Sequence, residues 1–335
     1  VKKLLLVYAL LIGTFMIYVY FEHFKEPAAS PWDVQGLRGE MNETYVMVTF
    51  QSGMEYWRSS LKGFEDAAQA LNVSVEYRGA TQYDIQEQIT VLEQVIARKP
   101  AGIALSAIDP YALTDTINKA IDTGIPVVLF DSGASGSKAY SFLGTNNYNA
   151  GVTAAHEMAE LLNEEGEVAV ITLLDQLNHQ ERTEGFKDAL SLNYPNINIV
   201  AVEDGQGNRL FSRNKTQELI EKYPDLAGIF ATEANGGVGI GEAVQLENNS
   251  GDIKIISFDT DKGTLEMIEN DIISATMAQG TWNMGYWSLI FLFHLHHELT
   301  EPMVLKSRDL APLPLYLDTG ITIVTKENVE NYFAQ

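Results

Sequence analysis

From Thr44 onward the chain alternates two patterns. Short apolar runs at 44–50, 73–77, 101–107, 125–130, 167–173, 197–203, 227–232 and 253–259 read as strands. Between them, apolar residues recur at helical spacing over 56–71, 84–99, within 110–124, and over 149–163, 181–192, 213–223 and 237–247. Runs such as AGIALSA and IPVVLF have no polar face, as expected for strands of a parallel sheet covered by helices on both sides. The series divides near Gly144-Thr145-Asn146-Asn147 into two similar halves. The expected fold class is therefore α/β, with two doubly wound parallel-sheet lobes. In such sheets ligands sit beyond the carboxyl ends of the strands. The polar residues that follow the apolar runs become candidates on that ground: Gln51, Ser52, Ser106, Asp131, Ser132, Glu233 and Asp259.

The first residues follow another pattern. Lys2 and Lys3 precede an uncharged stretch, Leu4 to Phe21, of 18 residues. As a helix it would be about 27 Å long, just enough to span a bilayer. The lysines favour the cytoplasmic side, leaving the acidic body outside. A cleaved signal peptide is the competing reading. Its apolar region is usually shorter and ends in a small-residue cleavage site, whereas charged EHFKE follows here. Residues 1–43 are thus read as one N-terminal transmembrane helix or signal segment plus a tether. Either reading makes the body extracytoplasmic, attached to the membrane if the segment is retained and secreted or periplasmic if it is removed.

Composition narrows the function. Lys+Arg 22 against Asp+Glu 45 gives a net charge of −23, which repels phosphate backbones, so no nucleic-acid partner is expected. Cysteine is absent, so there is no disulfide framework, thiolate metal site or Cys nucleophile. The 335 residues exceed what one hydrophobic core usually serves.

Several segments, in order, resemble the type I periplasmic sugar-binding proteins, the ribose- and galactose-binding group that shares its ligand domain with the lactose-repressor family. They are YWRSSLKGFEDAA, IPVVLFDS, FLGTNNYNAG, ERTEGFKDAL, IISFDTD, ATMAQ and DTGITIVTKENV, spread over residues 44–329. The resemblance implies two lobes joined by a three-strand hinge, 44–145 plus 280–308 and 146–279 plus 309–335, with a sugar in the cleft. A binding protein rather than an enzyme is expected, with no cofactor and no metal, because no nucleophile–base pair or metal constellation emerges from the sequence. The partner would be an ABC permease or, if the body is tethered, a sensor kinase or chemoreceptor. The expected ligand residues are the aromatic pair Tyr56 and Trp57, at least one of which should stack while the other could belong to the helix's apolar face, Asp131 and Asp259 as acceptors, Arg182 as donor, and Gln279 near the hinge. Ser132 stands where sugar binders often carry Arg, and Glu233 where they usually carry Asn. Glu233 is expected either to favour a ligand rich in donors or to pair with Arg182. Gly205 and Gly207 stand where many relatives carry an aromatic platform; Trp282 and Trp287 could supply that surface, a helix-core role being expected at least equally for Trp287.

Two further signals carry less. GGVGIGEA (236–243) lacks the third glycine of a dinucleotide loop, Glu242 standing in its place. In FHLHHEL, only His294 with His297 or Glu298 shares a helix face, and the Glu-x-x-His frame of a metalloprotease is missing.

Overall fold

The computed structural model describes residues 37–134, 136–247, 252–299 and 313–333, with 8, 11–16 and 18. The expected membrane span at 4–21 therefore lies mostly outside the described residues. Among the described residues no helix is long and apolar enough to cross a membrane.

The first half runs β1 (Thr44–Thr49), α1 (Trp57–Leu71), β2 (Ser74–Gly79), α2 (Ile85–Ala97), β3 (Gly102–Leu105), α3 (Thr114–Asp122), β4 (Val127–Phe130) and β5 (Phe142–Gly144). The second half repeats the pattern. It comprises α4 (Asn147–Leu161), β6 (Gly166–Thr172), α5 (Leu177–Asn193), β7 (Ile197–Asp204), α6 (Arg209–Lys222), β8 (Leu226–Ala231), α7 (Ala234–Leu246), β9 (Lys254–Phe258), α8 (Lys262–Glu269) and β10 (Ala275–Gln279). α9 (Thr281–His296), β11 (Tyr316–Asp318), β12 (Ile321–Val324) and a 3-10 turn at Val329–Tyr332 follow.

Two six-stranded sheets result, ordered β11-β5-β4-β3-β1-β2 and β12-β10-β9-β8-β6-β7. Apart from the outermost strands, the order is the same in both, so the second sheet repeats the first. Only β12 runs antiparallel. Each sheet is buried on both faces because its strands alternate between two cores. In β1, Tyr45 and Met47 join one cluster with Phe64 and Phe293, while Val46 and Val48 join another with Leu92 and Ile117.

The helices on one face of each sheet are exchanged. α9 follows the second sheet yet packs on α1 beside the first, and α4 follows the first sheet yet packs on α5 beside the second. Glycines permit both approaches. A Cβ on Gly285 would stand 1.8 Å from the Ser60 carbonyl oxygen, and one on Gly151 would stand 2.0 Å from that of Arg182.

Three segments cross between the sheets and bond to each other. Thr319 N–H donates to the Gly144 carbonyl at 3.0 Å, and Gly280 N–H to the Gly320 carbonyl at 3.1 Å. Thr145 Oγ1 donates to Gln279 Oε1 at 2.7 Å. One boundary differs from expectation. Residues 316–318, assigned from sequence to the second lobe, pair in parallel with β5 in the first sheet. The third crossing therefore falls at Thr319-Gly320, where Gly320 takes a φ of +79° that a side chain would resist. The short β5 and β11 were not predicted as strands, since three residues give too little alternation to see.

Candidate functional site

The site is built where the carboxyl ends of the two sheets face each other. β4 and β9 hold equivalent places in their sheets, and each is followed directly by an aspartate. Asp131 and Asp259 adopt left-handed backbones, φ +60° and +65°. Their N–H groups bond the Leu143 and Met277 carbonyls, at 3.0 and 2.9 Å, on the neighbouring strand. Asp tolerates this conformation better than most residues.

On the first-sheet side, Asp131 accepts from the Tyr56 hydroxyl at 2.5 Å and from Ser106 Oγ at 2.9 Å. Tyr56 sits just before α1, and Ser106 just after β3. On the second-sheet side, Gln279 Nε2 donates to Asp259 Oδ1 at 2.7 Å and reaches across to the Tyr56 oxygen at 3.2 Å. Arg182, in the second turn of α5, is 3% exposed. Its Nε donates to Asn147 Oδ1 at 2.9 Å, and its two terminal nitrogens to the Thr232 carbonyl at 2.8 Å and Gln279 Oε1 at 3.2 Å. The guanidinium lies 3.7 Å from the centre of the Phe258 ring. Tyr56, Asp131, Arg182, Asp259 and Gln279 thus form one polar cluster that joins the lobes. A second bond between lobes runs from Gln176 Nε2 to the Tyr83 hydroxyl at 2.7 Å.

This cluster sits in a duplicated α/β scaffold whose residues 45–295 match the family model described as a periplasmic binding protein domain. The chain belongs to that family. A solved sugar-binding protein of a sugar ABC transporter from Bacillus halodurans is 72% identical, with a TM-score of 0.84 over 87% of this chain and 100% of that one. The arabinose-binding protein AraP from Geobacillus stearothermophilus is 67% identical, with a TM-score of 0.82 over 87% and 99%. The D-allose-binding periplasmic protein of Escherichia coli (strain K12) is 24% identical over 72% of this chain and 80% of that protein. All three are sugar-binding proteins, the first of a sugar ABC transporter, and this chain is a binding protein rather than an enzyme.

The electrostatics suit a family that grips neutral, hydroxyl-rich guests. Burial pushes the Asp259 carboxyl up to about 6, against the pull of Arg182 and the Gln279 hydrogen bond. Burial also raises Asp131, opposed by its bonds from Tyr56 and Ser106 and by Arg182. The Tyr56 phenol is held well above its ordinary value by burial and by the two aspartates. Burial lowers Arg182 somewhat, while Asp259, Tyr56 and Asp131 support its charge. Arg182 stays charged, and three of its five N–H donors are committed, to Asn147, the Thr232 carbonyl and Gln279.

The structure gives several of the sequence candidates other contacts than those of the cluster. Trp57 is 2% exposed and lies in the first sheet's core, edge-on to Phe50 and Phe130. Its indole N–H donates to the Phe50 carbonyl at 2.9 Å, so its polar edge is already committed. Glu233 does not pair with Arg182. It caps α7, accepting from Asn235 N–H at 2.8 Å, and Arg182 bonds the Thr232 carbonyl one residue earlier. Trp282 and Trp287 make their contacts along α9, the helix role expected for Trp287. Trp282 bonds Asp66 of α1 and stacks on Tyr286, and Tyr286 in turn meets Trp287 edge-on, along α9 beside the first core. Among the described residues, the Ser132 hydroxyl makes no bond to the cluster; its carbonyl accepts from Ala107 N–H at 3.1 Å.

The sequence reading also missed residues. Thr145 and Asn147 lie in the crossing FLGTNN and bond Gln279 and Arg182. Thr232 and His179 support Arg182. His179 Nδ1 meets Thr232 Oγ1 at 3.0 Å, and burial holds the ring well below its usual pKa, hence neutral. No pattern in the sequence singles them out.

Glu233 gives a pH test. Burial raises its carboxyl to about 7, opposed by the N–H groups of Asn235 and Gly236. The folded protein therefore holds this proton more tightly than the unfolded chain. The stabilisation is complete below about pH 4.5 and fades as pH rises through about 7. Glu233→Gln should flatten this slope: relative to the unsubstituted protein it gains about 3 kcal/mol between pH 4.5 and pH 8, read by urea unfolding at each pH. Parallel curves for the two proteins would refute the assignment.

Proposed function

We propose that the chain binds a small monosaccharide, of the arabinose type, in the cleft between the lobes outside the cytoplasm, and delivers it to an ABC-type importer. The observation that carries this reading is the cluster joining Asp131 and Tyr56 of one lobe to Arg182, Asp259 and Gln279 of the other. Carboxylates accept from pairs of sugar hydroxyls, and Arg and Gln donate to hydroxyl and ring oxygens. Asp131, Tyr56, Asp259 and Gln279 are only partly buried, so a guest can exchange for the bonds they make to one another. Arabinose is favoured among pentoses and hexoses by the 67% identity to AraP.

The mechanism follows from the crossings. A sugar bound to one lobe's carboxylate recruits the other lobe, and the closed form gains contacts that the open form lacks. The three bonded crossings are where the rotation would be absorbed. One lobe then comprises 44–145, the chain from 280 through α9, and β11, and the other comprises 146–279 and the chain from β12 onward, with the third crossing at Thr319-Gly320.

Calorimetric titration with arabinose, ribose, xylose, galactose and allose tests the reading. Arabinose should bind tightest, and Asp259→Ala should weaken it by at least about 100-fold, two charge-assisted hydrogen bonds being lost, with the far-ultraviolet dichroism unchanged. Silence toward all five sugars, or unchanged affinity in the variant, would remove the cluster from ligand binding.

A second reading rests on Lys2-Lys3 and the apolar run to Phe21. If that segment stays in the membrane, the same closure could be read by a tethered sensor kinase or chemoreceptor. Membrane fractionation of the full chain after carbonate washing separates the two: release into the soluble fraction ends the tethered reading.

A further inference from the structure

We infer that Glu43, His296 and His297 form a binding site for a divalent transition metal of the zinc class, at the end of the first lobe opposite the sugar cluster. Glu43 immediately precedes β1, whereas His296 and His297 end α9, more than 250 residues later in the chain. One ligand atom from each residue lies within 4.8 Å of the other two. His297 Nε2 stands 2.8 Å from Glu43 Oε2. Two imidazoles and one carboxylate are the donor set that suits zinc and its neighbours, and an ion at about 2.1 Å from each would fit with small side-chain rotations.

Tyr45 packs against the set: its ring, 0% exposed, lies edge-on to His296, with centroids 6.0 Å apart. Its hydroxyl is buried beside the Glu43 carboxylate, placed to donate to that carboxylate or to a water on the ion. The site also opens on a cavity of about 450 Å³, whose wall includes Glu43, Glu76, Arg98, Lys99 and His296. Waters filling the remaining coordination positions would enter from there.

Helix spacing within FHLHHEL could not show this set, because the third ligand comes from the other end of the fold. On binding, the ion takes the place of the His297 Nε2 proton. That proton moves to Nδ1 of the same ring or, from an imidazolium, to solvent. The ion would fasten the start of β1 to the end of the exchanged helix α9.

The full chain, stripped with chelator, is titrated with Zn²⁺ by calorimetry and followed by thermal unfolding. One ion per chain should bind with a Kd of about 1 μM or tighter and raise Tm by several degrees. His296→Asn, at an exposed position, and Glu43→Gln should each weaken Zn²⁺ at least about tenfold while far-ultraviolet dichroism stays unchanged. No saturable binding to the unsubstituted chain would overturn the proposal. Binding of equal strength in both variants would place the ion elsewhere and overturn it too. Should Glu43→Gln fail to fold, His296→Asn and the unsubstituted titration still decide. Neither titrant nor readout involves a sugar, so failure of the sugar reading leaves this test intact.

Discussion

Arg182→Met is expected to abolish measurable sugar binding and to lower stability by about 3 kcal/mol. The guanidinium is 3% exposed and donates to Asn147, the Thr232 carbonyl and Gln279. Methionine fills much of the space but satisfies none of these acceptors, and buried acceptors left unpaired cost about 1–3 kcal/mol each. The charge that supports Asp259 and Asp131 disappears as well, so both carboxyls should protonate more readily. A guest would then meet weaker acceptors and lose its one charged donor, keeping only neutral ones such as Gln279 Nε2. Arg182→Lys should rescue little, because a single ammonium cannot span three acceptors arranged around a planar fork. Calorimetry with arabinose and urea unfolding read the two effects separately. An affinity within about threefold of the unsubstituted protein would show that Arg182 only builds the lobe.

Gly151→Ala should be nearly as damaging although it touches no ligand. The added Cβ would stand 2.0 Å from the Arg182 carbonyl oxygen, backbone against side chain, and neither can rotate away. α4 and α5 must separate by more than 1 Å, which carries Arg182 off its partners. Overpacking of this kind costs about 1–3 kcal/mol, and displacement of a ligand group by that distance can weaken binding about tenfold or more. Gly53→Ala is the control: nothing lies within 4 Å of the added carbon, so Tm and affinity should stay unchanged. Equal unfolding midpoints for Gly151→Ala and Gly53→Ala would disprove the close approach.

Particular residues show how far the sequence could be read. Asp131 and Asp259 were legible because each directly follows an apolar strand, and the carboxyl ends of parallel strands lie on one edge. Ser106 was visible for the same reason. Arg182 and Gln279 needed the family resemblance, since nothing in ERTEG or ATMAQ alone separates a buried donor from a surface one. Which of Tyr56 and Trp57 faces the core was not legible, because a helix-start aromatic looks the same whether it faces a core or a cleft. What separates it from Tyr56 is a rotation of about 100° about the helix axis.

The order of strands and helices, the duplication and the acidic exterior are written in the sequence, because they depend on periodicity and composition, which are local or summed properties. The meeting of Tyr56 with Gln279, the exchange of α4 and α9 between lobes, the third crossing at Thr319-Gly320 and the approach of Glu43 to His296 and His297 belong to the tertiary structure alone. Each depends on where two distant segments lie in space. That placement is set by how the cores pack, including helix contacts so close that only glycine fits.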